Sequence, residues 1–228
     1  MAIAYLIRHG QASAHADDYD QLSELGYEQC RQLKKHLLEQ EIHPTTVLYG
    51  PRKRHRQSYE TARSSTWPSG EMCPDLDEYP AHELLEFGIE QLLAQVPELR
   101  PQAERIRAST GSAGAAYVDL LQHSAALWMR DKITDPRIES YTDYKQRMQS
   151  ISERLRQADS EECFVLFSSA GFISTLLSFL VDGSPARSLN TAWALYNGCI
   201  NVLLIRDDIL IGAVNHIQYL PSDSRTFI

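Results

Sequence analysis

Three times along this chain an apolar run ends in a tight turn and gives way to a stretch of helical character, and that repetition constrains the fold more than any other feature. Residues 2–7 are continuously apolar and stop at Gly10; after a polar loop at 11–21, Leu22, Leu25, Gln29/Cys30, Leu33 and Leu37 recur at helical spacing up to Ile42, with Ser23 as N-cap. A β-branched run at Thr45–Tyr49 closes on Gly50-Pro51, and the Arg52–Ser65 region after it is compatible with a helix. The third copy is the clearest: a strand at 162–168, the turn Ser169-Ala170-Gly171, and an apolar helix from Phe172 to Val181. Short runs without alternation are what strands covered on both faces look like. Strand-to-helix units in series predict an α/β sandwich of three layers, with a mostly parallel central sheet, helices on both faces and right-handed crossovers.

The C-terminal part breaks the series. Ala192–Tyr196, Cys199–Arg206 and Ile209–Val214 read as strands separated by Asn197-Gly198 and Asp207-Asp208, both hairpin signals, which predicts an antiparallel edge. Residues 85–157 are charged and helical in character, with a small-residue break from Ser109 to Gly114. We read them as a helical insertion over the active-site end of a single domain spanning 1–228. No solenoid repeat or low-complexity tract is present.

Composition sets limits. A formal charge of −8 argues against broad binding to nucleic acid or anionic lipid, and 43% apolar residues are enough for a substantial core. Cys30, Cys73, Cys163 and Cys199 are scattered, with no CxxC pair and no zinc-type spacing, so free thiols and an intracellular, cytoplasmic protein are expected. The apolar stretches are too short to span a membrane. The first one lacks the basic flank and cleavage site of a secretory signal, so it is read as a buried strand.

Ligands of open α/β sheets bind beyond the carboxyl ends of the strands, and three groups of chemically capable residues fall there. Strand one ends in Arg8-His9-Gly10-Gln11, strand two runs into Arg52-Lys53-Arg54-His55-Arg56-Gln57, and strand three ends in Ser168-Ser169-Ala170-Gly171. A neutral imidazole can attack phosphorus, and guanidinium forks match phosphate oxygens in bidentate fashion. Taken singly, each has an ordinary reading: a structural Arg-His pair, a solvated basic helix face, a capped turn. Their joint placement on one rim favours phosphoryl chemistry, which needs mainly positioning and charge stabilisation.

The residues Leu6–Gln11, Leu22–Gly26 with Gln29, and Gly50–Gln57 together resemble the histidine phosphatase superfamily, the phosphoglycerate mutase-like group. The similarity in order and spacing runs through the third strand and the C-terminal hairpin, with 85–157 the least matched part. The resemblance implies His9 as the nucleophile that becomes phosphohistidine, with Arg8 and Arg54 as the phosphate clamp. Arg54 is preferred over Arg52 and Arg56 because it lies three residues after Pro51 and three before Gln57. Gln11 and Ser13, in the loop after the nucleophile, are candidate phosphate donors or plain loop residues. The family's general acid corresponds to Glu78 in Leu76-Asp77-Glu78, with Glu83 and Glu86 as fallbacks; a carboxyl that protonates the leaving alkoxide lowers the barrier.

One element departs from the pattern. Most members place a histidine where this chain has Ser169, and a serine hydroxyl offers a hydrogen bond without charge. Losing one good transition-state donor costs about 3 kcal/mol where it has been tested. The backbone N–H groups of Ala170 and Gly171 at the following helix start remain candidates to hold an anion. The expected function is hydrolysis of a phosphomonoester through phosphohistidine, with no metal or other cofactor because arginines neutralise the charge. Two alternatives stay open: a slow or non-catalytic phospho-ligand binder on the same fold, and a mutase-type phosphotransferase. The expected partner is a small phosphorylated substrate, with no nucleic acid and no membrane. His216 and Tyr219 are expected to pack at the sheet edge. Arg100, Arg105, Arg107, Arg130 and Lys132 in the insertion carry no assignment, and neither does the oligomeric state.

Overall fold

A computed structural model of the chain describes all residues except 14–19, 109–113, 185–187, 189–190 and 228. Part of the polar loop at 11–21 and nearly all of the small-residue break before Gly114 therefore lie outside the described residues. The sheet has six strands: β1 (Ala2–Arg8), β2 (Thr46–Tyr49), β3 (Glu71–Met72), β4 (Cys163–Ser168), β5 (Ile200–Ile205) and β6 (Ile209–His216), in the order β3-β2-β4-β1-β5-β6. β1 pairs parallel with β4, β4 with β2 and β2 with β3, while β5 and β6 add antiparallel to the β1 side.

Strand residues point alternately to opposite faces, and that alternation sorts the core into two layers. Leu6, Leu48 and Leu166 go to one face; Ile7, Val47, Val165 and Phe167 go to the other. The second face is covered by α1 (Glu24–Glu39) and α2 (Lys53–Ala62) through Leu33, Leu37, Tyr59 and Ala62. Helix α1 begins where the sequence predicts: the Ser23 hydroxyl accepts from the Gly26 N–H at 3.0 Å, and Gln29, Cys30, Leu33 and Leu37 form its buried stripe. The first face takes α7 (Tyr141–Arg156) and α8 (Ala170–Leu180). Between β3 and α7 lie α3 (Ala81–Phe87), α4 (Ile89–Gln95), α5 (Arg100–Ala108) and α6 (Gly114–Trp128), which share that same core.

The 85–157 span is thus not uniform. Its last helix, α7, packs Tyr144, Met148, Ile151 and Leu155 into the sheet's own core, so it is a layer helix by packing. At the C-terminus one expected strand does not form. Thr191 and Ala192 are helical and residues 193–194 turn, which leaves β5 and β6 as the antiparallel edge, joined through Arg206–Asp208. The apolar run 192–196 belongs instead to a loop that buries Ala192 and Leu195. Asn197-Gly198 is a turn rather than a hairpin, with Gly198 at φ +76° and its N–H donating to the His9 carbonyl at 3.1 Å. All four cysteines are free. Among the described residues, no helix is long and apolar enough to cross a membrane.

Candidate active site

Because β1, β2 and β4 run parallel, the residues that follow them meet on one rim, and there His9, Arg54 and Ser169 come together. His9 is buried; its backbone N–H donates to the Ser168 carbonyl at 2.9 Å, which locks the end of β1 to the end of β4. Its Nδ1 lies 2.6 Å from the Gly10 carbonyl oxygen. A carbonyl only accepts, so Nδ1 carries the proton and Nε2 keeps its lone pair. Burial, followed by the neighbouring charges of Arg54 and Arg8, holds the His9 imidazole well below its ordinary pKa, hence neutral. That is the form a nucleophile needs.

Arg54, buried in the first turn of α2, donates from Nε to His9 Nε2 at 3.2 Å, from Nη1 to Asp20 Oδ1 at 2.8 Å and toward Ser169 Oγ from Nη2 at 3.4 Å. Helix α2 is fixed against the nucleophile loop by Ser58, whose hydroxyl donates to the Arg54 carbonyl at 2.7 Å and accepts the Gly10 N–H at 3.1 Å. Gly10 and Gly26 cannot bear side chains here: a Cβ on either would overlap backbone of the other segment. Arg8 donates from Nη1 to the Leu195 carbonyl.

Arg8 and Arg54 open onto a cavity of about 530 Å³ lined also by Arg52, Asp20, Glu78, His82 and Glu83 on its polar side, while His9 and Ser169 contact Arg54 and are not among its lining residues. Tyr79, Tyr117, Val118, Leu121, Trp193 and Phe227 form its apolar walls. Its size falls within the range of small-molecule sites.

Glu78 lies in this cavity in an unexpected arrangement. Its Oε1 accepts from the backbone N–H of Tyr79 at 2.9 Å and of Phe172 at 3.0 Å, and its Oε2 from Gly171 at 3.2 Å. The start of α8, offered by the sequence as an anion site through Ala170 and Gly171, is therefore already occupied by this carboxylate. Ala170 lines the cavity as well. The Asp77-Glu78 segment is held from two sides. Arg52 donates to Asp77 Oδ1 at 2.6 Å, and Arg147 of α7 reaches the Asp77 and Glu78 carbonyls at 2.7 and 3.2 Å while pairing with Glu139 through two bonds. Glu83 lines the cavity with Oε2 buried and without a hydrogen-bond partner among the described residues; Glu86 is exposed and faces His82 instead.

Other candidates stand apart. Gln11 is bound by its neighbours: its Oε1 accepts from the Ser23 hydroxyl at 2.8 Å and its N–H donates to Gln29. Ser13 pairs its N–H with the Gln21 carbonyl. Among the described residues neither lines the cavity. Arg56 is exposed and pairs with Glu60. Arg100, Arg105, Arg130 and Lys132 are exposed and away from the cavity; the side chain of Arg107 lies outside the described residues. His36 stacks on Tyr219, with ring centroids 4.8 Å apart, and the Tyr219 hydroxyl donates to Gly198 beneath the nucleophile loop.

Sequence reasoning missed Asp20, His55, Arg147 and Phe227. His55 was in plain view beside Arg54. Phe227 reaches the cavity because the C-terminal segment is tied down: Gln29 donates to the Ser224 carbonyl and the Thr226 hydroxyl at 2.8 and 3.0 Å, the Asn197 N–H donates to the Thr226 carbonyl at 2.8 Å, and Phe227 stacks on Tyr196.

A buried neutral imidazole with one lone pair beside a guanidinium, at the carboxyl ends of parallel strands, defines a site equipped for phosphoryl transfer. The family model of the histidine phosphatase superfamily, branch 1, matches residues 4–122 and 113–210, and the chain belongs to that superfamily. Its fold is that of phosphoglycerate mutase-like phosphatases. An α-ribazole phosphatase from Shigella flexneri aligns at TM-score 0.64 and 19% identity, over 93% of this chain and 96% of that one. A phosphoserine phosphatase from Entamoeba histolytica, solved with 3-phosphoglyceric acid, aligns at TM-score 0.63 and 14% identity, over 97% and 100%. YhfR from Bacillus stearothermophilus aligns at TM-score 0.66 and 12% identity, over 96% and 99%. No curated protein matches the chain in sequence.

Proposed function

We propose that the chain is a phosphatase that hydrolyses a small phosphomonoester through a phosphohistidine on His9. The observation that carries this reading is the single tautomer of His9: Nδ1 bound to Gly10 and Nε2 directed at Arg54. In the first step Nε2 attacks phosphorus, the P–O bond to the alcohol breaks, and Glu78 gives a proton to the departing oxygen. In the second, water attacks phosphorus and gives a proton back to Glu78, the N–P bond breaks, inorganic phosphate leaves and Nε2 recovers its lone pair. Arg8 and Arg54 carry the charge of the transferring group, so no step calls for a metal or other cofactor. A cytoplasmic enzyme without nucleic-acid or membrane partners fits the acidic composition.

The cavity supports a finer statement about the substrate. Beyond the phosphate end Arg52 is already paired with Asp77 and His82 with Glu86, and the far wall is otherwise aromatic and aliphatic with one carboxylate, Glu83. A second phosphate or a carboxylate on the substrate would meet no unspent cation among the described residues there. The organic half is therefore neutral or cationic and largely apolar, in contrast to 3-phosphoglycerate.

A second reading, a binder that does not turn over, draws on Arg54 Nε occupying the lone pair of His9 and on serine at 169. The deciding experiment measures release of phosphate from p-nitrophenyl phosphate together with acid-labile labelling of the protein. Turnover and labelling, both lost in His9→Ala, establish the enzyme. Phosphate binding with no labelled intermediate overturns it in favour of the binder.

A further inference from the structure

Among the buried titratable groups that the reaction above leaves unused, His55 touches the site. It follows Arg54 in the sequence, is wholly buried on α2, and places Nε2 2.6 Å from Ser169 Oγ. Ser169 Oγ lies 3.4 Å from Arg54 Nη2, and Arg54 Nε lies 3.2 Å from His9 Nε2. Four side chains from the ends of β1 and β4 and from α2 thus form one file, His55–Ser169–Arg54–His9.

Hydrogen-bonding capacity at Arg54 and the tautomer of His55 together set the direction of that file. A guanidinium only donates, so Ser169 Oγ accepts from Arg54. With the ring proton on Nδ1, toward the Gly50 backbone, His55 Nε2 accepts from the Ser169 hydroxyl at 2.6 Å. Burial and the charges of Arg54 and Arg52 push the His55 pKa well below its ordinary value, which keeps the imidazole neutral and able to accept. An imidazole used merely as filler would be a poor choice beside two cations, where an aliphatic side chain gives the same volume without desolvating a polar ring. The surroundings are also shaped to this ring: a Cβ on Gly50 would overlap His55 Nδ1.

We propose that His55 is a positioning residue: it orients the Ser169 hydroxyl so that its lone pairs face Arg54, and thereby holds the Arg54 guanidinium over the attacking nitrogen of His9. Serine at this strand end then works as the middle member of a relay whose histidine has moved to α2. The inference rests on the reading of Arg54 as phosphate clamp.

The test uses the full-length protein and two readouts, affinity for vanadate and kcat on p-nitrophenyl phosphate. His55→Ala and Ser169→Ala are each expected to weaken vanadate binding and lower kcat about 10-fold, and the double variant by no more than either alone. His55→Gln, whose amide reaches the Nε2 position, recovers most of the loss; His55→Asn, whose amide reaches only the Nδ1 position, does not. In an Arg54→Ala background, His55→Ala adds nothing. Equal effects of Ala, Asn and Gln, additive losses, or a His55 effect that persists without Arg54 would overturn the proposal, and Ser169→Ala and His55→Gln keep it open to test if His55→Ala fails to fold. An acid-stable phosphoenzyme surviving in His9→Ala would overturn it too, since Ser169 would then be a nucleophile. Absence of turnover in the unaltered protein removes the phosphatase reading, while the vanadate arm still decides the role of His55.

Discussion

His9 Nδ1 lies 2.6 Å from the carbonyl oxygen of Gly10, its own neighbour in the chain, and this one contact decides which nitrogen faces the chemistry. Because the ring is also desolvated and next to Arg54 and Arg8, protonation of Nε2 is opposed by burial and by both charges, which outweigh the opposite pull of the Gly10 carbonyl. The sign follows directly. The reactive form is neutral, its pKa lies well below 6.5, and so the acid limb of kcat/KM falls well below the ordinary histidine range. A pH profile on p-nitrophenyl phosphate checks this, and an acid limb at or above pH 6.5 would contradict it.

The same burial couples pH to folding. His9 and His55 both have lowered pKa values in the folded chain, so below pH 6.5 the unfolded state binds protons that the folded state refuses. Stability is present above the unfolded pKa and is lost as pH falls beneath it, by up to about 1.4 kcal/mol per pH unit for each group. Urea midpoints between pH 7.5 and 5.5 should therefore drop, and His55→Gln should remove about half of the histidine-linked slope. An unchanged slope in that variant would show that His55 titrates normally.

Much of this was legible in the sequence, for identifiable reasons. β1, β4, α1 and α8 declare themselves because burial on two faces and helical periodicity leave direct traces in residue order, and Ser23 marks its helix start by chemistry alone. Arg8, His9 and the basic run at 52–57 could be placed because parallel strands bring their ends to one rim, and the family resemblance picked Arg54 out of that run. Residues 192–196 misled because a buried apolar loop has the same hydrophobicity as a strand. Asp20, Arg147 and Phe227 were out of reach for another cause: they arrive from distant chain positions, and only tertiary contacts such as Arg147 with Asp77, 70 residues apart, bring them to the site. The occupation of the α8 start by Glu78 is of that kind too.

Asp20 sits where a phosphate oxygen would compete. Its Oδ1 accepts from Arg54 Nη1 at 2.8 Å, and its Oδ2 accepts from the Lys53 N–H at 2.8 Å. The carboxylate both steadies Arg54 and repels a dianion, and these effects oppose each other. Arg54 keeps its contacts to His9 and Ser169 when Asp20 is neutralised, so relief of repulsion should win. Asp20→Asn is expected to lower KM about 5-fold, near 1 kcal/mol, with little change in kcat. Steady-state kinetics at low ionic strength measure this, and a raised KM would mean that aiming Arg54 is the larger contribution.

Glu78 has two jobs that can be separated by the leaving group. As the acceptor of three backbone N–H groups it fixes the start of α8, and as the proposed acid it must supply a proton when the alcohol departs. Replacing it by glutamine sets an amide donor against backbone donors, which should destabilise the fold by about 1–2 kcal/mol. A capping role alone would slow all substrates equally. Acid catalysis matters only when the departing oxygen is basic, so Glu78→Gln should cut kcat about 100-fold on an alkyl phosphate and far less on p-nitrophenyl phosphate, whose leaving group needs no proton. Glu83, with a buried oxygen that has no hydrogen-bond partner among the described residues, is the comparison: Glu83→Gln should shift KM among substrates and spare that leaving-group dependence. If instead the dependence follows Glu83, the proton comes from α3, and Glu78 is left as the carboxylate that anchors α8.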